Sequence, residues 1–299
     1  MSAVAVSESA GARSQRRGLV SLLARGTPTV ALVILAAVYL TPFVWMISTA
    51  LKTLPQSIAA PPVLVPNPIT FDAFPQAFVR MEFLAGLGNT LIYAVPSAIG
   101  TVISCSLVAY GFALVNWPGR NVVFLVVLAT LMLPSQVTLI PLYVIFAKLG
   151  WINTFLPLVV LTFLASAPGT AGGAFSIFLL RQFFLGIPRD LLDAARIDGA
   201  SEVRILARIV APLSVPALIT VALLTFIDKW NDFYGPLLYL QNPDLRTLSL
   251  SMQTFQSAHR TEWPQTMAAS ILIAVPLVAI YFAAQRKFIE GITLTGLKG

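Results

Sequence analysis

Six long stretches of this chain contain no charged side chain, and no other feature of the sequence constrains the fold as strongly. A charged group at the centre of a bilayer costs about 2.5 to 3.5 kcal/mol even on the mildest scale, so such apolar stretches favour membrane-spanning helices. The chain is 57% hydrophobic and only 10% charged, whereas a soluble domain carries about 25% charged residues. We therefore predict an all-α integral membrane protein with six transmembrane helices, within residues 29–47, 83–119, 121–147, 149–180, 209–227 and 263–285.

A seventh charge-free stretch, residues 53–71, is predicted to be a loop. Its five prolines are Pro55, Pro61, Pro62, Pro66 and Pro68. Proline has no backbone N–H and interrupts helices, and lipid offers the freed backbone groups no partner. We therefore expect this stretch to lie outside the membrane.

The basic residues predict the orientation of the chain. With the N-terminus inside, 13 of the 19 Lys and Arg residues fall on cytoplasmic segments and 5 on outer segments, with Lys229 at the outer end of the fifth span. The positive-inside rule then puts both termini in the cytoplasm. Residues 1–25 are predicted to be a disordered basic tail, residues 26–290 the six-helix transmembrane domain and residues 291–299 a C-terminal tail. The net charge of +7 follows from topology and from attraction to anionic lipid, so it implies no nucleic-acid partner.

The cytoplasmic segment between the fourth and fifth predicted spans is long, charged and patterned. Pro188 at its start, acidic residues in the first turn and Gly199 predict a short helix that ends in a glycine bend. A second short helix, residues 200–210, follows with Ser201 as its candidate N-cap, and Pro212 marks the entry to the fifth span. Small side chains beside charges permit close, registered contact with a partner. An ordinary amphipathic linker at the membrane surface is the alternative interpretation.

The spacing within this segment resembles a known signature. Asp193-Ala194-Ala195, three residues, Gly199, nine residues and Ile209-Val210-Ala211-Pro212 match the EAA pattern E-A-A, x3, G, x9, I-x-L-P, with Asp in place of Glu and Ala in place of Leu. That signature is typical of the membrane subunits of binding-protein-dependent ABC importers. Residues 187–200 are further similar to the carbohydrate-uptake branch, and specifically to its maltose-type second permease.

Other segments resemble the same branch, and their order along the chain extends the resemblance over nearly its whole length. Each match is weak alone, and the shared order makes the set specific. These segments are Asn89-Thr90-Leu91, Leu133-Pro134, Ile140-Pro141-Leu142-Tyr143, residues 180–184, Trp230-Asn231-Asp232-Phe233 with Pro236, and residues 291–299.

Membership of this branch implies how the chain acts and with which partners. The segment at residues 188–212 would be a coupling helix in a groove of an ATP-binding subunit, so that closure of two such subunits moves the spans. The implied partners are a second homologous permease, two copies of the ATP-binding subunit, an extracellular or periplasmic solute-binding protein, a sugar-like substrate and membrane lipid. The implied ATPase contacts are Asp193, Ala194, Ala195 and Gly199, flanked by Arg189, Arg196, Asp198 and Ala200.

The chain itself is expected to bind no cofactor and to hydrolyse no ATP. The nearest approach to a phosphate-binding P-loop is residues 291–298, where Leu297 stands at the position that requires lysine, and no strand is predicted before it. ATP and magnesium would therefore be used by the partner ATPase.

Polar residues at the outer end of the fifth span are the candidates for the substrate path. Hydroxyl-rich sugars need hydrogen-bonding groups and stack on aromatic faces, and this region also contains Asp228 and Lys229. The alternative is an interfacial charge cluster with a tryptophan anchor. The predicted path residues are Trp230, Asn231, Asp232 and, at the start of the second span, Asn89.

Two other classes of membrane protein are alternatives at this stage. An ion-coupled secondary transporter is expected to place carboxylates in mid-membrane, but spans one to four and six have no charged residue in their cores. A membrane-embedded enzyme would need paired carboxylates, a nucleophile with its base or a set of metal ligands, and the sequence offers none of these. The only cysteine, Cys105, lies in an apolar run and is expected to pack.

Overall fold

The computed structural model describes residues 29–166, 172–255 and 262–296, except the side chains of residues 135 and 284–296, and all the regular secondary structure there is helical. No β-strand occurs within these ranges, so the all-α prediction is confirmed for them. The predicted N-terminal tail, residues 1–25, and the last three residues of the predicted C-terminal tail lie outside them.

The helices are numbered here in chain order. They are α1 (Thr29–Ala50), α2 (Leu54–Ser57), α3 (Ala73–Arg80), α4 (Phe83–Ala113), α5 (Arg120–Ala129), α6 (Ser135–Lys148), α7 (Leu156–Phe163), α8 (Gly173–Phe184), α9 (Arg189–Ile197), α10 (Glu202–Ile205), α11 (Ala211–Leu213), α12 (Val215–Trp230), α13 (Tyr234–Tyr239), α14 (Leu248–Ser251) and α15 (Trp263–Gly296). Short 3-10 turns occur at Thr130–Met132, Pro243–Leu245 and Met252–Phe255, and a π-helical turn at Leu206–Val210 joins α10 to α11.

Within the described ranges, three single helices are long and apolar enough to cross a membrane, and they match the first, second and sixth predicted spans. They are α1, α4 and the stretch Trp263–Ala283 of α15. The number rises to as many as five if two sharply bent helix pairs each count as one span. The proline-rich segment between α1 and α4 forms only the short helices α2 and α3, as its composition predicted.

The third predicted span is one of these bent pairs. Helices Arg120–Met132 and Gln136–Lys148 are inclined to each other by 98°. Between them Leu133 is extended, at φ −79° and ψ 118°, and Pro134 follows. A proline ring disfavours the helical conformation at the residue before it, which favours a break at Leu133. The third predicted span is therefore occupied by two helices with a sharp bend between them.

The fifth predicted span begins later than the sequence suggested. The helical stretches Glu202–Leu213 and Val215–Trp230 are inclined by 85°, with the break at Ser214. Pro216 has no N–H to give to the carbonyl four residues earlier and its ring crowds that carbonyl, which favours a kink or break in the helix at this point. The predicted start at residue 209 is therefore wrong, and the straight part of this span is α12.

The fourth predicted span is also interrupted. α7 ends at Phe163 and α8 begins at Gly173, with residues 167–171 outside the described ranges. A β-carbon on Gly173 would lie 1.8 Å from the carbonyl oxygen of Ala165, so only glycine lets the start of α8 approach the end of α7 this closely. The fourth predicted span therefore consists of two helices, α7 and α8, within the described residues.

α4 is the central helix of the bundle, because α7, α8 and α12 all pack against it. Small residues at its buried positions let neighbouring backbones come close. Cys105 is among the fully buried residues, as expected. The small buried residues of α4 include Gly86, Ala94, Ala98, Gly100, Ala109 and Ala113.

In contrast to α4, none of the most apolar part of α1 is buried against the rest of the described chain.

Candidate functional site

The segment at residues 188–212 folds as the predicted helix, glycine bend and second helix. Gly199 has a positive φ of 79°. Its N–H donates to the Arg196 carbonyl at 3.0 Å, and the Ala200 N–H donates to the Ala195 carbonyl at 3.0 Å. These two bonds form a Schellman motif, in which a left-handed residue that is usually glycine closes a helix. The bend therefore has a defined geometry.

The second half of the segment is helical but lacks the predicted side-chain cap. Ser201 occupies the N-cap position of α10 with an extended backbone, yet its side chain makes no capping hydrogen bond. Its carbonyl accepts a hydrogen bond from the Ile205 N–H at 2.9 Å. From α10 the helix continues through the π-helical turn into α11, so helical structure extends from the glycine bend to Ser214.

α9 has one face towards the bundle and one towards solvent. Leu192 is only 1% exposed and belongs to a core that also contains Ile205 and Val210, together with residues at the ends of α4 and α8. The opposite residues follow the spacing i, i+3, i+4 and i+7, which places them on a single stripe of a helix. This exposed stripe consists of Asp190, Asp193, Ala194 and Ile197.

The eight predicted ATPase contacts divide by exposure. The half-buried residues face the bundle, where Ala195 and Ala200 pack against the core beneath the segment. A partner that approaches from solvent would meet the exposed set. Exposed are Arg189, Asp193, Ala194, Asp198 and Gly199, whereas Ala195, Arg196 and Ala200 are half-buried.

Ile197 belongs to the exposed stripe but was not singled out from the sequence. Its side chain is 86% exposed, directly before the glycine bend. The available signal was an isoleucine on the polar face of an amphipathic helix. That signal is weak because single exposed apolar residues are common on proteins.

Arg196 connects the two halves of the segment. Its Nη1 donates to Asp193 Oδ1 at 2.8 Å, and its Nε and Nη2 donate to the two carboxylate oxygens of Glu202 at 2.9 and 3.3 Å. Tyr110, near the C-terminal end of α4, donates its hydroxyl to the same carboxylate. The hydrogen bond from Arg196, and next that from Tyr110, lower the pKa of Glu202, and the same bond raises the pKa of Arg196. No sequence signal links Tyr110 to a residue so distant in the chain.

A cavity of about 560 Å³ lies where α4, α6, α7, α12 and α13 meet, and its volume is typical of a small-molecule site. Two of the predicted path residues, Asn231 and Asp232, line it. Contrary to expectation, Trp230 does not: it is 1% exposed and packs on Phe226 in a separate core. The aromatic residues that line the cavity are Tyr93, Phe175, Phe233, Tyr234 and Tyr239.

Asp232 is held firmly in the cavity wall. The hydroxyl of Tyr93, on α4, donates to Asp232 Oδ2 at 2.5 Å, and the Gly235 N–H donates to Oδ1 at 3.0 Å. A β-carbon on Gly235 would lie 2.6 Å from Oδ2, so glycine is needed for this approach. Beside it, Lys229 Nζ lies 3.3 Å from Asp228 Oδ2. The cavity wall therefore presents carboxylate, ammonium and hydroxyl groups together.

Asn89 lies apart from this cavity. Its Nδ2 donates to the carbonyls of Asp244 and Arg246 at 2.8 and 3.0 Å, which fastens α4 to the segment before α14. The structure thus brings Asn231 and Asp232 together at the cavity but not Asn89. Among the described residues, no group of three or more His, Cys, Asp or Glu side chains could hold a metal ion.

The exposed charged segment and the polar cavity lie near opposite ends of α4, in a bundle of apolar helices. This architecture defines a class of protein, the helical membrane protein with a polar cavity among its apolar helices. The chain belongs to the family described as the binding-protein-dependent transport system inner membrane component, whose model matches residues 103–293.

The chain is similar to several curated permeases over most of its length. It is 32% identical over 235 residues, covering 78% of this chain and 81% of the relative, to the arabinooligosaccharides transport system permease protein AraQ of Halalkalibacterium halodurans. It is 33% identical over 271 residues, covering 89% and 94%, to the trehalose/maltose transport system permease protein MalG of Thermococcus litoralis.

A solved structure shares the fold. A chain of a bacterial ABC transporter involved in the import of the acidic polysaccharide alginate aligns with a TM-score of 0.73 at 22% identity, over 88% of this chain and 95% of that one.

Proposed function

We propose that this chain is one of two permease subunits of an ATP-driven importer for a sugar-like solute and forms half of its translocation pathway. Its family and the sugar permeases among its relatives support this function. Its partners would be a second homologous permease, two copies of an ATP-binding subunit and a solute-binding protein outside the membrane. The chain would bind no cofactor, and ATP and magnesium would be used by the ATP-binding subunits.

We infer that the ATP-binding subunit docks on the exposed stripe of α9 and the glycine bend that follows it. The observation that carries this inference is the Schellman-closed bend, which holds the exposed Gly199 and Asp198 beside Ile197 and Asp193. An exposed apolar residue among charges suits an interface, since apolar contacts supply affinity and charges fix register.

The six-span topology is proposed in a modified form. α1, α4, α12 and α15 would each provide one span, the bent pair α5 and α6 would form the third, and the interrupted pair α7 and α8 the fourth. Both termini would then be cytoplasmic, with the α9 segment on the same side.

The substrate path is proposed to include the cavity with Asn231 and Asp232 rather than Trp230 or Asn89. Its charged groups and tyrosine hydroxyls can exchange hydrogen bonds with sugar hydroxyls, and its aromatic rings offer stacking faces. This assignment rests on the lining of the cavity.

Gly199→Asp tests the docking proposal, and Gly119→Asp is its matched control. Both glycines have a positive φ, of 79° and 83°, and a β-carbon on either would meet nothing within 4 Å. Both substitutions therefore add the same charge at an exposed glycine with a left-handed backbone. We expect Gly199→Asp to weaken retention of the co-expressed ATP-binding subunit about tenfold or more, as for a central interface residue, and Gly119→Asp to leave it unchanged.

Retention is measured by pull-down from detergent-solubilised membranes, with the amount of inserted permease as the reference. Wild-type retention in Gly199→Asp would remove the reason to regard this segment as the docking surface. ATP hydrolysis or transport by the isolated chain would contradict the importer function itself.

A further inference from the structure

We propose that Glu202 is a positioning residue that makes α9, α4 and α12 move together when an ATP-binding subunit displaces α9. The inference rests on the proposed docking at α9 and adds the internal linkage that would carry the displacement to the solute cavity. The linkage consists of Arg196, Glu202 and Tyr110.

The first part of the linkage is a clamp across the glycine bend. Arg196 on α9 binds both carboxylate oxygens of Glu202 on α10, at 2.9 and 3.3 Å, while it also holds Asp193. A bidentate arginine–carboxylate pair fixes orientation as well as distance. With the bend spanned in this way, α9 and α10 move as one body.

The second part joins this body to the central helix. Tyr110 is buried on α4 and donates its hydroxyl to Glu202. At the other end of α4, the hydroxyl of Tyr93 donates to Asp232 in the cavity wall. α4 therefore makes one hydroxyl–carboxylate bond to the α9 segment and one to the cavity, about 26 Å apart at 1.5 Å per helical residue.

The third part of the linkage is the backbone that connects Glu202 to α12. Helical structure continues from Glu202 to Leu213, turns by 85° and becomes α12, whose C-terminal end borders the same cavity. A displacement of Glu202 would thus move both α4 and α12, and both helices line the cavity. Hydrogen-bonded and helical elements of this kind are the structures that carry coupling between distant sites.

A purely stabilising role does not account for this arrangement. The side chains of Arg196 and Glu202 are 34% and 47% exposed, and such partly exposed ion pairs contribute little to stability. The connection between three elements is the distinctive property of Glu202. The test therefore measures movement and coupling rather than unfolding.

Spin labels on α9 and α4 measure the movement directly. The labels are placed at Leu191→Cys, on α9 outside the docking stripe, and at Leu107→Cys, both exposed positions, in a Cys105→Ala chain assembled with its partners in a cysteine-free importer. In the parent importer we expect the same distance between labels without nucleotide and after trapping with ATP and vanadate. In Tyr110→Phe and Glu202→Ala we expect that distance to shift or broaden on trapping.

Coupling is measured in parallel as the stimulation of ATP hydrolysis by the loaded binding protein. We expect Tyr110→Phe and Glu202→Ala to lose between about twofold and thirtyfold of this stimulation, the range for residues in coupling networks. Glu202→Gln, which keeps an acceptor for Tyr110, should lose less than Glu202→Ala. Tyr39→Phe, which removes a hydroxyl from the exposed residue of α1, is the control and should behave as the parent.

Unchanged label distances and unchanged stimulation in both Tyr110→Phe and Glu202→Ala would overturn the proposal. Loss of ATP-binding subunit retention in Tyr110→Phe would also overturn it, because the linkage would then serve docking instead of transmission. Failure of the proposed function is distinguishable, since the unmodified chain would then fail to retain the ATP-binding subunit.

Discussion

Leu191 and Leu192 are neighbours on α9 with opposite environments, 45% and 1% exposed respectively. Leu192→Ala leaves a cavity in the core under the helix, and we expect a loss of about 2 to 5 kcal/mol of stability. Leu191→Ala is the matched control and should change stability by no more than about 0.5 kcal/mol. Thermal unfolding of the detergent-purified importer compares the two, and equal shifts would contradict the packing described for α9.

Arg196 illustrates what residue type and position can predict. The sequence marked it as a charge beside the small residues, and from this we expected it to face the ATP-binding subunit. In the structure it is half-buried and bonded to Asp193 and Glu202. Its environment depends on Tyr110, which is distant in the chain, so the local pattern could not reveal its partners.

The environment of Trp230, near the cavity, could not be predicted from the local sequence either. The sequence predicted an aromatic face for a sugar because tryptophan follows two charged residues. The ring instead turns into a core beside Phe226, while tyrosines from other helices line the cavity. Which side of a helix faces a cavity is decided by the neighbours that pack against it.

Among the helices, the contact between α4 and α7 depends on the absence of a side chain at Gly100. A β-carbon there would lie 2.6 Å from Thr162 Oγ1 and 2.7 Å from the Phe163 ring. We expect Gly100→Ala to destabilise the bundle by about 1 to 3 kcal/mol through overpacking. Gly88 is in the same helix with nothing within 4 Å of a β-carbon, so Gly88→Ala should stabilise it by about 0.5 to 1 kcal/mol.

Denaturation of the two alanine variants in the same detergent provides the comparison. A stable Gly100→Ala protein would contradict the close approach of α4 and α7. A destabilised Gly88→Ala protein would mean that this face of α4 is covered in the assembled importer.

The bent helices show how far element prediction from this sequence extends. Charge-free length identified each apolar segment, but the breaks beside Pro134 and Pro216 were not predicted. The bend angles of 98° and 85° were not predictable, because a proline disrupts a helix without fixing the direction in which the next helix packs.

For the whole molecule, orientation in the membrane is the property that the fold alone leaves open. Single cysteines in a Cys105→Ala chain test it, because Cys105 is the only native cysteine. We expect Leu64→Cys to react with an impermeant maleimide in intact spheroplasts and Val203→Cys, in the same segment as α9 but outside the docking stripe, to react only after permeabilisation. Both native side chains are exposed, so access depends on the side of the membrane, and the reverse pattern would contradict the proposed topology.

α1 shows why the assembled importer is the relevant unit. None of its most apolar part is buried within the described chain. An apolar helix that finds no contact in its own subunit must be covered by lipid or by another subunit. The environment of α1 is therefore set by lipid or by another subunit, and not by packing within this chain.

The sequence by itself determined the apolar segments, the glycine-closed helix at residues 189–199 and membership of the permease family. Each of these depends on composition or on the spacing of residues that lie close together in the sequence. Only the tertiary structure decided the breaks' geometry, the burial of Trp230 and the joining of Tyr110 to Glu202 and of Tyr93 to Asp232. These contacts join residues far apart in the chain, and they arise from the way α4 packs against its neighbours.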